Sequence, residues 1–188
     1  MAKPARLAHI VLMTRRYQQM IDWYCTVFEA RVIHANPALA FLTFDDENHR
    51  FAFANLDVLK PGGDGGRGDI GVNHVAFTYD SVDDLLSTYV RLKEAGIKPY
   101  WPVHHGMTLS LYYQDPDGNR LELQVDTLGA QESFDLMQSP AFAENGVGHS
   151  YDPDALVAAW RAGASTESLL KSPGGPPSPI PAEHGLFA

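Results

Sequence analysis

"AHIVL" at residues 8–12 and "NHVAF" at residues 73–77 decide how this chain is read. Each is a short apolar run with a histidine in second place, and runs of this kind read as β-strands. His9 and His74 stand 65 positions apart, and Ala30-Arg31-Val32 stands the same 65 positions from Ala95-Gly96-Ile97. A repeat of that length is a duplicated half-domain and not a solenoid.

The surrounding pattern repeats too. After the first strand, Tyr17, Met20, Ile21, Tyr24, Val27 and Phe28 recur at helical spacing, which predicts a helix over 16–28. Strands are predicted over 30–35, 38–45 and 50–56, with Asn36-Pro37 and the 45–48 acidic run as turns. A glycine-rich connector, 60–71, follows. The second strand is succeeded by a helix with Ser81 as its N-cap and a stripe of Val82, Leu85, Leu86, Tyr89 and Leu92. Strands over 98–101, 108–114 and 120–126 complete the module, the last two joined by the turn "DPDGN". The expectation is an α+β fold of two βαβββ modules, 5–57 and 70–127, within one domain spanning 1–128. The extension 129–188 lacks the repeat. It carries one helix over 152–161, and its Pro/Gly-rich run 171–181 will not be regular structure.

Composition narrows the function. The 188 residues carry a net charge of −9 and are 45% hydrophobic, which suits a globular core and argues against general nucleic-acid or anionic-membrane binding. The run 7–13 is far too short to span a bilayer. Cys25 is the single cysteine, so no intrachain disulfide forms and a cytoplasmic home is expected.

Alternation along the strands places the chemistry. Leu121, Leu123 and Val125 should face a helix, so Glu122 faces away from it. His9 and His74 also lie on the helix-free faces of their strands. A lone strand histidine is usually a hydrogen-bonded structural group. A matched pair at the repeat offset, with a carboxylate on the same kind of face, points instead to two imidazoles and one carboxylate around a metal. That donor set is the facial triad of non-haem Fe(II) oxygenases. Ala52 takes the place of Glu122 in the first module, so a fourth protein ligand is missing there. A hairpin centred on Asp117 sets Tyr112 opposite Glu122. His104 and His105 lie on the loop entering that hairpin. Trp101, Met107 and Tyr113 are candidates for an apolar substrate pocket by position.

These residues resemble the vicinal oxygen chelate superfamily, which has the glyoxalase/bleomycin resistance/extradiol dioxygenase fold. Within it they resemble the single-domain type I extradiol ring-cleavage dioxygenases, related to biphenyl-2,3-diol 1,2-dioxygenase and catechol 2,3-dioxygenase. The carriers are the paired histidine strands, "MTLSLYYQDPDGNRLELQVD" and the 65-residue repeat. The resemblance covers about residues 5–128. It implies Fe(II) held by His9, His74 and Glu122, with the modules curled around that one site. It also implies an active-site Tyr112 from Ser110-Leu111-Tyr112, a second pocket histidine at His49, and an acid/base histidine matched best by His105. The loop after that histidine is shorter than in two-domain relatives, which leaves His104 and His105 both open. The reaction implied is meta cleavage of a catechol by O2 to a muconic semialdehyde-type product, in a homo-oligomer of two or more copies.

Two other readings use the same fold. One is a non-redox enzyme with Mn(II) or another divalent ion, as in fosfomycin-modifying transferases. It would need neither Tyr112 nor His105. The other is a metal-free binding protein of the bleomycin-resistance kind.

Overall fold

The computed structural model describes residues 10–45, 50–59, 61, 74–137 and 139–184. His9 and His49 lie outside the described residues, as does nearly all of the glycine-rich connector. The chain divides into two compact units, Met1–Gly71 with Asp115–Gly118, and Val72–Gln114 with Asn119–Ala188.

In the first unit, β1 (Ile10–Thr14) leads into α1 (Tyr17–Phe28), followed by β2 (Arg31–Ala35), β3 (Leu39–Thr43), β4 (Phe51–Asn55) and the short α2 (Leu56–Leu59). The strand order is β1-β4-β3-β2, with β1 and β4 parallel and the other pairs antiparallel. The predicted stripe of α1 supplies the core. Met20, Ile21, Tyr24 and Val27 are buried, and the Tyr24 ring lies 4.6 Å from Phe51 and 4.9 Å from Phe53, edge-on to both. Such contacts add to the ~1.5–3 kcal/mol gained by burying each large apolar side chain.

The second unit repeats the plan. β5 (His74–Thr78), α3 (Val82–Glu94), β6 (Trp101–His104), β7 (Thr108–Gln114) and β8 (Arg120–Asp126) form the order β5-β8-β7-β6-β9, where β9 (His149–Ser150) is an addition. β5 and β8 are again parallel. The registers superimpose under the repeat: Ile10 pairs with Phe51, and Val75, 65 positions on, pairs with Leu121. Ala52 and Glu122 therefore occupy equivalent places. Ser81 caps α3 by accepting from the Asp84 N–H at 3.1 Å, and all five stripe residues are buried. Asp83 and Asp84 in the first turn and Arg91 and Lys93 in the last complement the helix dipole. Leu109, Leu111, Leu121, Leu123 and Val125 close the core from the sheet.

β6 corrects an expectation, since it runs over Trp101–His104 and not 98–101. It is defined by its pairing with β7, Trp101 with Tyr112 through His104 with Leu109, and by β9 on its other side. Periodicity does not reveal a two-residue partner that arrives 45 positions later. His104 is thus the last residue of a strand and only His105 begins the loop.

The extension holds more structure than the single helix expected. α4 (Ala130–Met137), α5 (Pro140–Glu144), β9, α6 (Pro153–Arg161) and α7 (Thr166–Leu169) precede a 3₁₀ turn over Ala182–His184. α6 starts where the sequence indicates, capped by Asp152. It is tied to α3 by Tyr89 Oη donating to Asp154 at 2.8 Å, by Lys93 Nζ at 2.5 Å from the same carboxylate, and by Trp160 Nε1 on Asp83. No helix among the described residues is long and apolar enough to cross a membrane.

Candidate active site

The second unit brings four of the predicted residues together, His74, Tyr112 and Glu122 from one face of its sheet and His105 from the loop after β6. β5 places His74 so that its Nε2 lies 3.3 Å from Glu122 Oε2 on the neighbouring β8. Tyr112 on β7 pairs directly with Glu122, as the hairpin centred on Asp117 requires. Strand alternation sends Leu121 and Leu123 into the core and leaves Glu122 on the opposite face, yet Glu122 is 5% exposed. A carboxylate that buried needs partners. Burial alone would raise its pKa, but hydrogen bonds to His74 and Ser110 and the nearby His105 bring it below the ordinary carboxylate value. Arg50 grips Asp45 at 2.8 Å, and Arg120 Nε donates to the Glu183 carbonyl at 2.6 Å.

Tyr112 and His105 form the second half of the cluster. His105 Nδ1 sits 2.7 Å from the Val147 carbonyl, and its Nε2 sits 3.1 Å from Tyr112 Oη. A carbonyl only accepts, so Nδ1 carries the proton and Nε2 of the neutral ring presents its lone pair to the phenol. Burial lowers the His105 pKa more than its Val147 and Glu122 contacts raise it. Tyr112 is shifted well upward, by burial first and then by the Glu122 charge and hydrogen bond. The result is a continuous line of polar contacts from His74 through Glu122 and Tyr112 to His105.

The adjacent histidine does something else. His104 is 2% exposed, its Nε2 donates to the Leu170 carbonyl at 2.9 Å, and its Nδ1 accepts from the Gly106 N–H at 3.0 Å. Both nitrogens are used in holding the chain, and burial lowers its pKa.

Aromatic rings border the cluster. Trp101 stacks on Tyr112 at 5.0 Å and meets His105 edge-on at 5.7 Å. Tyr113 points the other way, into the core at 0% exposed. Alternation forbids it from sharing a face with Tyr112, so it is not a pocket residue on this sheet. Met107 is half-buried in the loop, where its carbonyl accepts from the Thr127 N–H at 2.9 Å.

Two functional contacts escape a reading of the repeat. Val147, which orients His105, comes from the extension. His184 is buried at 4% exposure with its ring 5.0 Å from Tyr112 and 5.7 Å from His74. Burial, reinforced by His74 and Arg120, pushes its pKa down to about 4. A lone histidine after a proline-rich run gives no periodic signal.

The Val147 carbonyl is positioned by Gly148. That glycine has φ +94°, and a Cβ there would lie 2.1 Å from the His104 carbonyl oxygen. Gly148→Ala is expected to cost about 1–3 kcal/mol, from a left-handed backbone with no room for a methyl group. Thermal or urea unfolding measures it; an unchanged midpoint would show that this junction adapts freely.

The donors fit a divalent ion. A nitrogen and an oxygen binding one ion at about 2.1 Å each stand about 3 Å apart at a right angle, close to the 3.3 Å between His74 Nε2 and Glu122 Oε2. Among the described residues no three His, Cys, Asp or Glu side chains are grouped to hold an ion, and the expected third donor, His9, is not among them.

A family model described as the Glyoxalase/Bleomycin resistance protein/Dioxygenase superfamily matches residues 6–123. The chain belongs to this superfamily. Biphenyl-2,3-diol 1,2-dioxygenase 2 of Rhodococcus globerulus is 42% identical to this superfamily member over 171 residues, covering 90% of this chain and 88% of that protein. Biphenyl-2,3-diol 1,2-dioxygenase 3 of the same organism is 42% identical over 168 residues, 87% and 86% of the two chains. Among solved structures, a lactoylglutathione lyase of Agrobacterium tumefaciens has a TM-score of 0.52 at 18% identity, covering 66% of this chain and 96% of that one. A fosfomycin resistance protein of Listeria monocytogenes has a TM-score of 0.51 at 21% identity, covering 67% and 97%. At those identities the two structures share the superfamily fold and nothing finer.

Proposed function

We propose that the protein is an extradiol ring-cleavage dioxygenase that opens a catechol with O2 to a muconic semialdehyde-type product. The observation that carries this reading is the line of contacts His74–Glu122–Tyr112–His105, in a chain 42% identical to two biphenyl-2,3-diol dioxygenases over about nine-tenths of its length. The metal is Fe(II), held by His74 and Glu122 with His9. Bound Fe(II) supplies a Lewis acid for the catechol hydroxyls and a route for electrons from the ring to O2.

The residues of the chain manage protons. Ring opening incorporates both oxygen atoms and releases no water, so a proton removed from a catechol hydroxyl has to be returned later. His105 suits that task. Its lowered pKa keeps it neutral near pH 7 with a lone pair at Nε2, and once protonated it donates as the O–O bond breaks. The raised pKa of Tyr112 supports a donor that steadies negative charge and speaks against the phenol as the base. His49, the second pocket histidine that the resemblance implies, would be the other candidate for a base.

Tyr112→Phe is expected to keep the metal and slow turnover roughly a hundredfold, the usual loss when one oriented donor at a developing charge is removed. Turnover equal to wild type would reduce Tyr112 to a packing residue. The choice of metal is tested by anaerobic purification, metal analysis, and reloading of the stripped protein with Fe(II) or Mn(II). Ring cleavage restored by Fe(II) supports the proposal. A stoichiometric ion with no catechol turnover under either loading would favour the non-redox reading.

A further inference from the structure

The run 171–181 has no helix or strand, but the segment that ends it is fastened at three levels. Ser178, 5% exposed, accepts from Trp101 Nε1 at 2.9 Å, meets Ser150 Oγ at 2.5 Å and donates its N–H to the Gly148 carbonyl at 2.8 Å. Ile180 packs on the cluster of Trp101, Val103 and Tyr112. The Glu183 carbonyl accepts from Arg120 Nε at 2.6 Å and from Gln114 Nε2 at 3.2 Å. These ties seat His184, whose Nδ1 lies 3.0 Å from Tyr100 Oη and whose ring meets Trp101 edge-on at 4.7 Å.

We infer that the strap over residues 178–184 is a wall of the catechol site and that His184 governs which ring substituents are admitted. This rests on the extradiol reading of the same site. A catechol is flat, with a polar edge bearing its two hydroxyls and an apolar edge opposite. The polar edge belongs at His74 and Glu122. The rest of the ring then lies among the side chains that crowd His74 and Tyr112, and His184 touches both of those rings' surroundings at 5.7 and 5.0 Å between centroids. An imidazole is a costly filler for an aromatic cluster, because its nitrogens must be satisfied when buried. Here the Tyr100 hydroxyl satisfies one of them, at 3.0 Å from Nδ1. The hydrogen bond with Tyr100 fixes the ring plane, so the wall has one defined shape.

The test uses the full-length chain loaded with Fe(II), with His184→Ala and His184→Phe beside wild type. Two readouts are taken: kcat/KM for catechol against 3-phenylcatechol, and anaerobic binding of 4-nitrocatechol followed by its visible absorption. Removing the ring in His184→Ala is expected to shift the preference toward the phenyl-substituted substrate about tenfold, the scale on which a pocket discriminates by a few carbon atoms, and to weaken 4-nitrocatechol binding. His184→Phe refills the wall without the bond to Tyr100 and is expected to bring the preference back toward wild type from that of His184→Ala; a preference equal to that of His184→Ala would count against the wall. An unchanged preference in an active His184→Ala enzyme overturns the inference, as does an equal loss on both substrates accompanied by loss of bound iron. If loaded wild type cleaves neither catechol, the extradiol reading fails; the wall then stands if His184→Ala weakens 4-nitrocatechol binding and falls if it does not.

Discussion

Replacement of His74 by alanine is expected to abolish catechol cleavage, with a loss of about 10³-fold or more, and to empty the metal site. His74 Nε2 and Glu122 Oε2 face each other at 3.3 Å, and the Glu122 side chain is only 6% exposed. Removing the imidazole takes away one of the proposed donors to the ion and the largest of the contacts that lower the Glu122 pKa. A Lewis acid contributes several kcal/mol to barriers of this kind, and each 1.36 kcal/mol is tenfold in rate. The fold should survive the change. The His74 side chain is about a third exposed, and its backbone pairing with Arg120 on β8 does not depend on the ring. Metal analysis and circular dichroism of the same sample separate the effects: a folded, iron-free protein is predicted, and a folded protein with full iron occupancy would remove His74 from the ligand set.

The second large effect belongs to His105. His105→Gln is expected to lower kcat about 10³-fold, within the range that a positioned acid–base group contributes, with iron retained. Glutamine keeps a polar side chain of similar reach but cannot hold a transferable proton near neutral pH. The control lies one residue away. His104 has both nitrogens committed, to the Leu170 carbonyl and the Gly106 N–H, so His104→Gln should lower the unfolding midpoint and leave kcat of the folded fraction nearly intact. A crippled His104→Gln with a fully active His105→Gln would reverse the assignment, and two fully active variants would leave this loop without a proton carrier.

The division between what the sequence shows and what it conceals follows from the range of the interactions. The repeat, the stripe of α3, the Ser81 cap and the pairing of Tyr112 with Glu122 are local or periodic, and all are legible. Strand alternation alone puts Glu122 and Leu123 on opposite faces. The contacts that orient the site are of another kind. Val147 reaches His105 across 42 positions, and Tyr100 meets His184 across 84. Neither carries a periodic signature, because short helices and a two-residue strand are set by tertiary pairing more than by propensity. The same limit explains the misplaced start of β6. Tyr113 is a different case, since strand alternation already sets it on the face opposite Tyr112. With Val147 in view, the side-by-side His104 and His105 separate into a residue that braces the chain and one that faces Tyr112.

Ring cleavage consumes O2 and yields a coloured product, so it can be followed directly. The most direct measurement follows O2 consumption and the visible spectrum together, after anaerobically prepared Fe(II)-loaded protein is mixed with a catechol in oxygenated buffer. One O2 consumed per catechol, with the yellow absorption of a ring-opened semialdehyde, is the predicted result. Across a panel of substituted catechols, no O2 uptake and no yellow product from a folded, iron-loaded protein would contradict the account.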